Sequence, residues 1–288
     1  HAINPKLCVA ELIGFHDQGE HATKPSFDII AQAMGGFMDL TGEAGGKPVR
    51  GGYQIADLGA GLYLALGLLA ALFEARTTGV GKKIQTTLLD CQLALLTWQA
   101  QNYFVTGEVP HATGSRHATL APSEAFLCAD DKYIVVSAST QAHWPLLCDA
   151  LGHQELAHDA RFATPSERIA NIEALAATLG DILRRRSSSY WIERIGKAGV
   201  PVGPVNNVAE ALAQPLAGLR NMIEPLAHPR SGAALNFLGN PLKFDGAPAL
   251  AYPPACGAHT REILRDVCGY DKARIEQLER AGAIKPNA

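Results

Sequence analysis

The sequence has no CxxC-type cysteine pair, no HExxH histidine motif, no internal repeat and no low-complexity tract. Its six cysteines (Cys8, Cys91, Cys128, Cys148, Cys256 and Cys268) are widely scattered. That spacing speaks against a disulfide framework or a zinc site and reads as reduced thiols in a cytoplasmic protein. The histidines are equally undirected; His16 and His21 lie near Asp17 and Glu20 but form no metal pattern, so no metal is expected. Strong net charge is also missing: the formal value is −3 over 288 residues. The one basic run, Arg184-Arg185-Arg186, is brief and reads as a solvated helix end, so neither nucleic acid nor an anionic membrane surface is expected as a partner. His1-Ala2-Ile3-Asn4-Pro5 lacks the features of a secretory signal. A spanning helix needs about 20 apolar residues. The apolar run 58–73 is shorter, carries glycine and is bounded by Asp57 and Glu74, which predicts a buried helix.

What is present is a glycine-rich approach to that helix, Gly51-Gly52-Tyr53-Gln54-Ile55-Ala56-Asp57-Leu58-Gly59-Ala60-Gly61. It delivers one carboxylate, Asp57, to the first turn of a helix almost devoid of charge. By itself an aspartate there reads as an N-cap, accepting a hydrogen bond from the second or third amide. Gly59, Ala60 and Gly61 would also let another molecule's atoms approach the backbone, and the amides of a helix start favour nearby negative charge.

Along the chain, residues 7–14 and 82–89 read as strands, with helices over 29–40 and 58–73 between them. Arg76-Thr77-Thr78-Gly79 marks a helix stop. Helix then strand with short connections predicts an α/β domain with a largely parallel sheet over 1–105, and residues 90–104 return to helical character. Residues 106–122 read as a linker or an active-site loop. Strands at 125–128 and 133–138 across the turn 129–132, helices near 143–151, 166–186 and 189–198, a rigid turn over 200–207 and a helix at 208–213 make up a smaller α+β domain, 106–222. Residues 223–288 read as a proline-punctuated extended segment ending in helices at 259–268 and 271–281, returning to the large domain.

These pieces match a known family. Asn4-Pro5-Lys6-Leu7, Phe27-Asp28-Ile29-Ile30-Ala31-Gln32-Ala33-Met34-Gly35-Gly36, Ala56-Asp57-Leu58-Gly59-Ala60-Gly61, Arg76-Thr77-Thr78-Gly79-Val80-Gly81-Lys82, Asp159-Ala160-Arg161-Phe162 and Ala198-Gly199-Val200-Pro201-Val202-Gly203-Pro204-Val205 occur in that order. Together they resemble the class III CoA-transferases, a family that includes 2-methylacyl-CoA racemases. The resemblance implies a Rossmann-like large domain whose N-terminal portion, with most CoA contacts, precedes the start of this chain. It also implies a homodimer of interlocked subunits, coenzyme A or acyl-CoA as substrate with no tightly bound cofactor, and a small carboxylic acid as acceptor.

In the family the residue matching Asp57 is a nucleophile that carries the acyl exchange through an aspartyl anhydride and an aspartyl-CoA thioester. Phe27 takes an aromatic position near the family's active site, and equally reads as a core aromatic at a helix start. The loop Gly114-Ser115-Arg116-His117 falls where relatives place a mobile segment over the substrate. Arg116 there either meets the acid's carboxylate or is a surface arginine. Lys24 either approaches a CoA phosphate or is solvated, and Gly59 offers close approach to the cofactor. Racemase members place a histidine before the aspartate matching Asp28; Phe27 stands there, which disfavours two-base proton transfer. Racemase or isomerase chemistry, and an inactive fragment or assembly subunit, are the alternatives.

Overall fold

In a computed structural model that describes residues 1–246 and 248–284, the chain divides into two compact units, His1–Val205 and Asn206–Ala288. The first begins with β1 (Val9–Ile13), α1 (Asp28–Met34), α2 (Ile55–Thr78) and β2 (Lys83–Thr87). β1 and β2 pair in parallel, from Val9 against Lys83 to Ile13 against Thr87. Parallel neighbours need a long crossover, and α1 and α2 supply it. The α/β class and parallel pairing expected from the sequence are therefore present, in a sheet of two strands among the described residues. Gly79, at φ 75°, ends α2 in the left-handed conformation, its amide bonded to the Ala75 carbonyl.

α2 departs from expectation. It runs for 24 residues, so by length and composition alone it is long and apolar enough to cross a membrane. Nor is it a buried helix. Its inward residues are small (Ala56, Gly59, Ala60, Ala71 and Ala75), whereas Leu62, Leu66, Leu69 and Phe73 are 63–74% exposed. Small residues let α2 lie close against α1, α3 and the strands. The large side chains are left on the outer face.

The stretch expected as one helix after β2 is two, α3 (Leu88–Leu95) and α4 (Trp98–Thr106). Thr97, at φ 46°, breaks the path between them. Thr87 caps α3 by accepting a hydrogen bond from the Asp90 amide at 2.8 Å.

Next come β3 (Ser123–Leu127), β4 (Tyr133–Ser137), α5 (His143–Leu151), α6 (Pro165–Ala170), α7 (Ile172–Leu183), α8 (Ser188–Lys197) and β5 (Val202–Pro204). β3, β4 and β5 form an antiparallel sheet. Two corrections arise here. Residues 166–186 hold two helices, parted at Asn171, where ψ is 32°. The proline–glycine turn expected at 200–207 instead contributes the edge strand β5, with Val202 opposite Val136. Proline is tolerated there because an edge strand has a free side. Leu175, Leu179, Ile182 and Leu183 share one face of α7 and bury against Trp144, Phe162, Ile134 and Ile195. All six cysteines are free, and burial pushes the Cys148 thiol up to about 12.

Asp130, in the β3–β4 turn, reaches the start of α8. Its carboxylate accepts hydrogen bonds from the Ser188 amide at 3.0 Å and the Ser188 hydroxyl at 2.8 Å. The hydroxyl bond above all holds its carboxyl below the ordinary range. A depressed folded-state pKa gives stability that is present above the ordinary carboxylate pKa and is lost as pH falls through the folded value. Asp130→Ala is therefore expected to lower the unfolding midpoint at pH 7. The gap to the parent should narrow as pH falls below the ordinary carboxylate range and through the folded-state value. Melts across that range check it; a gap that does not depend on pH would contradict the assignment.

The second unit holds α9 (Val208–Ala213), α10 (Pro215–Leu219), the antiparallel pair β6 (Ile223–Ala227) and β7 (Ala234–Leu238), α11 (Thr260–Glu262) and α12 (Lys272–Arg280). The single helix expected at 259–268 is α11 followed by a wider π-type turn over Ile263–Val267. The hairpin β6–β7 falls inside the stretch that the sequence shows only as extended.

Candidate active site

Asp57 occupies the third position of α2, exposed, and its carboxylate makes no hydrogen bond or ion pair among the described residues. The N-cap expectation is corrected: Gln54 holds that position and gives no side-chain cap. The cap comes from another helix. Asp28, first residue of α1 and 7% exposed, accepts a hydrogen bond from the Ala56 amide at 2.9 Å. Its second oxygen accepts from Gln32 Nε2 at 2.6 Å, and Gln32 Oε1 accepts from the Gly51 amide at 2.9 Å. Gln32 is fully buried. One buried pair on α1 thus fixes both the glycine approach and the first turn from which Asp57 projects.

Sequence reasoning missed Asp28 and Gln32 as site residues. Their spacing of four, the spacing of side chains on one helical face, was the available signal. Asp28→Ala leaves the Ala56 amide and the Gln32 side chain without their buried acceptor, at a cost of about 1–3 kcal/mol. Asp28→Asn keeps an acceptor oxygen but loses the charge, and is expected to cost less. Urea unfolding of both variants measures the difference, and equal stability of Asp28→Ala and parent would contradict the capping role.

Phe27 immediately precedes α1 and is 72% exposed, so it is not a core aromatic. Through the Asp28–Ala56 bond it stands beside the start of α2. Lys24 is exposed and paired with Glu20 at 3.3 Å. Gly59, expected to admit a ligand, faces the protein itself: a Cβ there would lie 3.0 Å from Leu95, so the missing side chain serves packing of α2 on α3. Gly61 is the small residue with open space around it.

The loop around Gly114 is hydrogen-bonded to several distant groups. The Gly114 amide bonds the Gly42 carbonyl at 2.9 Å, Ser115 Oγ accepts from the Ala125 amide at 3.0 Å, and Thr113 Oγ1 donates to the Arg116 carbonyl at 2.6 Å. Gly114 takes φ +69°, a conformation that favours glycine. Arg116 is engaged rather than free, pairing with Glu124 at 3.3 Å and Glu173 at 2.6 Å. Burial pushes the Glu124 carboxyl up despite Arg116, and its Oε1 has no hydrogen-bond partner. No hydrogen bond or ion pair joins Asp57 to this loop or to Lys24 among the described residues. An apolar cavity of about 370 Å³ lies between Gly36, Leu40, α3 and α4, and neither Asp57, Phe27, Lys24, Gly59 nor Arg116 lines it. No group of three or more His, Cys, Asp or Glu among the described residues could hold a metal ion.

The arrangement therefore presents one solvent-facing carboxylate, unpaired, on a rigidly held helix start. Comparison with known proteins supplies its context. The sequence profile of CoA-transferase family III matches residues 1–260. The chain is 38% identical over 245 residues to acetyl-CoA:oxalate CoA-transferase of Acetobacter aceti, covering 85% of this chain and 61% of that protein. It is 30% identical over 285 residues to human succinyl-CoA:glutarate CoA-transferase, covering 98% and 64%. A solved CAIB/BAIF family protein from Brucella suis superposes with a TM-score of 0.77 at 33% identity, over 91% of this chain and 68% of that one. The chain thus spans less than two thirds of the length of these two curated relatives.

Proposed function

The chain belongs to CoA-transferase family III, and from that premise we propose that Asp57 is the carboxylate through which CoA passes from an acyl-CoA thioester to a carboxylic acid. The observation that carries this reading is the free, exposed Asp57 carboxylate on a helix start pinned by Asp28 and Gln32. A nucleophile has to be unencumbered and positioned, and both conditions are met.

The reaction balances without ATP. An Asp57 oxygen attacks the thioester carbonyl carbon, the C–S bond breaks, and CoA thiolate leaves a mixed anhydride. Thiolate attacks the Asp57 carbonyl carbon, releasing the donor acid and forming an aspartyl-CoA thioester. The acceptor carboxylate attacks that carbon, expelling thiolate and making a second anhydride. Thiolate then takes the acceptor's acyl carbon and frees Asp57. Thioester is exchanged for thioester, so the protein has to supply proximity and exclusion of water from the anhydrides.

A short dicarboxylate is the proposed acceptor, because the names of the relatives include oxalate and glutarate. Arg116 is the proposed contact for it. Its pair with Glu173, a side chain 82% exposed, is the one an incoming carboxylate can replace, since water already surrounds that partner. Phe27 would wall the acyl group, and Lys24, released from Glu20, would meet a CoA phosphate. Coenzyme A enters and leaves as substrate in a cytoplasmic setting.

Incubation with acyl-CoA followed by hydroxylamine should convert Asp57 to a hydroxamate that peptide mass spectrometry detects. No adduct at Asp57, together with no CoA exchange in a protein of the relatives' length, would end the proposal. Solvent deuterium at the α-carbon without CoA exchange would favour proton-transfer chemistry instead.

Self-association is part of this reading. The outer stripe of α2, with Leu62 69% and Leu69 63% exposed, is a face that a second copy would cover. Sedimentation should find the parent chain associated and Leu62→Glu/Leu69→Glu monomeric; a parent that sediments as a monomer counts against the dimer.

A further inference from the structure

The basic run Arg184-Arg185-Arg186 lies just past the end of α7 and is exposed, as the sequence suggests. Arg184 turns one way, pairing with Asp131 at 3.1 Å and donating to the Cys128 carbonyl. Its neighbours turn the other way. Arg185 and Arg186 line a depression of about 280 Å³ together with Arg194 from α8 and His153 from just after α5. Tyr190 forms one wall, with the Arg186 guanidinium 5.7 Å from its ring centre. Ile182 and Trp191 give it an apolar floor.

The charges around this depression are not balanced by the protein. The Arg185 side chain has no hydrogen-bond or ion-pair partner among the described residues, and Arg186 has only the tyrosine ring. Arg194 donates to the Ala150 carbonyl and, at 3.3 Å, to the Tyr190 hydroxyl, so its remaining N–H groups are available. No carboxylate among the described residues lines the depression. The acid that touches a lining residue is Glu155, held by His153 at 2.8 Å. Three arginines line this one depression and no carboxylate among the described residues does, so an anion entering it would meet positive charge that the protein leaves uncompensated.

We propose that this depression binds the diphosphate group of a phosphorylated small molecule. One carboxylate or monophosphate is matched by a single guanidinium fork, whereas three forks on one concavity suit a group with more oxygens and more charge. The site is separate from Asp57, and its occupancy does not depend on the acyl-transfer reading.

Calorimetric titration of the full chain with pyrophosphate, ADP and orthophosphate tests it. Pyrophosphate and ADP are expected to bind, with orthophosphate at least about tenfold weaker. Arg185→Gln/Arg186→Gln should weaken pyrophosphate by at least about tenfold, while Lys197→Gln, removing a cation of α8 paired with Glu193 outside the depression, should change it less than about twofold. Both arginines are exposed, so the variant should keep the parent's circular dichroism and melting point. ADP binding tighter than pyrophosphate identifies a nucleotide, with Tyr190 contributing; equal binding identifies the free diphosphate. Failure of the folded parent to bind either one, or undiminished binding in the double variant, overturns the proposal.

Discussion

Asp57→Asn is expected to lower acyl-CoA to carboxylate exchange by at least about a thousandfold, because the amide cannot form the anhydride on which each half-reaction depends. Stability should hardly change. An aspartate in the first turn of a helix favours it by about 0.3–1 kcal/mol through the amide dipoles, and the Asp57→Asn variant would forfeit no more than that. The two roles a first-turn carboxylate can have therefore separate cleanly in one variant. A helix-stabilising aspartate loses a fraction of a kcal/mol and leaves exchange intact; a nucleophile loses exchange and leaves the melt intact. Initial rates of CoA exchange, measured in a protein of the relatives' length beside a thermal melt, decide between them. Undiminished exchange would remove Asp57 from the chemistry.

Arg168→Met is expected to lower the stability of the first unit by about 3 kcal/mol. Arg168 is fully buried on α6. Its Nε donates to the Ala121 carbonyl at 2.9 Å, and Nη1 donates to the Phe162 carbonyl at 3.0 Å and to Gln141 Oε1 at 3.1 Å. Its guanidinium carbon also lies 5.2 Å from the Trp144 ring centre. Three hydrogen bonds from a charged donor contribute about 1.5–3 kcal/mol each. Against that stands the cost of burying the charge, several kcal/mol, unrelieved by any carboxylate among the described residues. Methionine removes the charge, but leaves the two backbone carbonyls buried without donors. The carbonyls decide the sign. Arg168→Lys is expected to rescue only part of the loss, since an ammonium lacks the planar fork that spans three separate stretches of chain. For a unit of this size the loss corresponds to roughly 6–12 °C in the melting point. A shift of less than about 1 °C for Arg168→Met would contradict this account.

Much of the fold was legible because it depends on local signals. The β-branched run that became β2, the turn carrying Asp131 at φ 56°, the amphipathic faces of α7 and α8, and the glycine stop of α2 each follow from a few adjacent residues. The errors share a cause as well. Val202–Pro204 reads as a turn by composition and is a strand because β4 offers it an edge. α2 reads as buried by composition, and its leucines face outward because only alanine and glycine fit against α3. The partners of the loop at Gly114, on Gly42, Ala125, Glu124 and Glu173, lie far away in the chain and were likewise not legible in it.

The same division runs through the candidate site. By itself the sequence determined that an aspartate opens a long apolar helix behind a glycine-rich approach, because helix starts, glycines and apolar runs act over a few residues of chain. Only the tertiary structure decided what that aspartate is free to do. Asp28, 28 residues away from Ala56 in the chain, takes over the capping bond, and Gln32 braces both Asp28 and Gly51. Buried amides must find acceptors, and which acceptor reaches them is settled by packing. Here packing brought α1 to the head of α2 and left the Asp57 carboxylate unpaired.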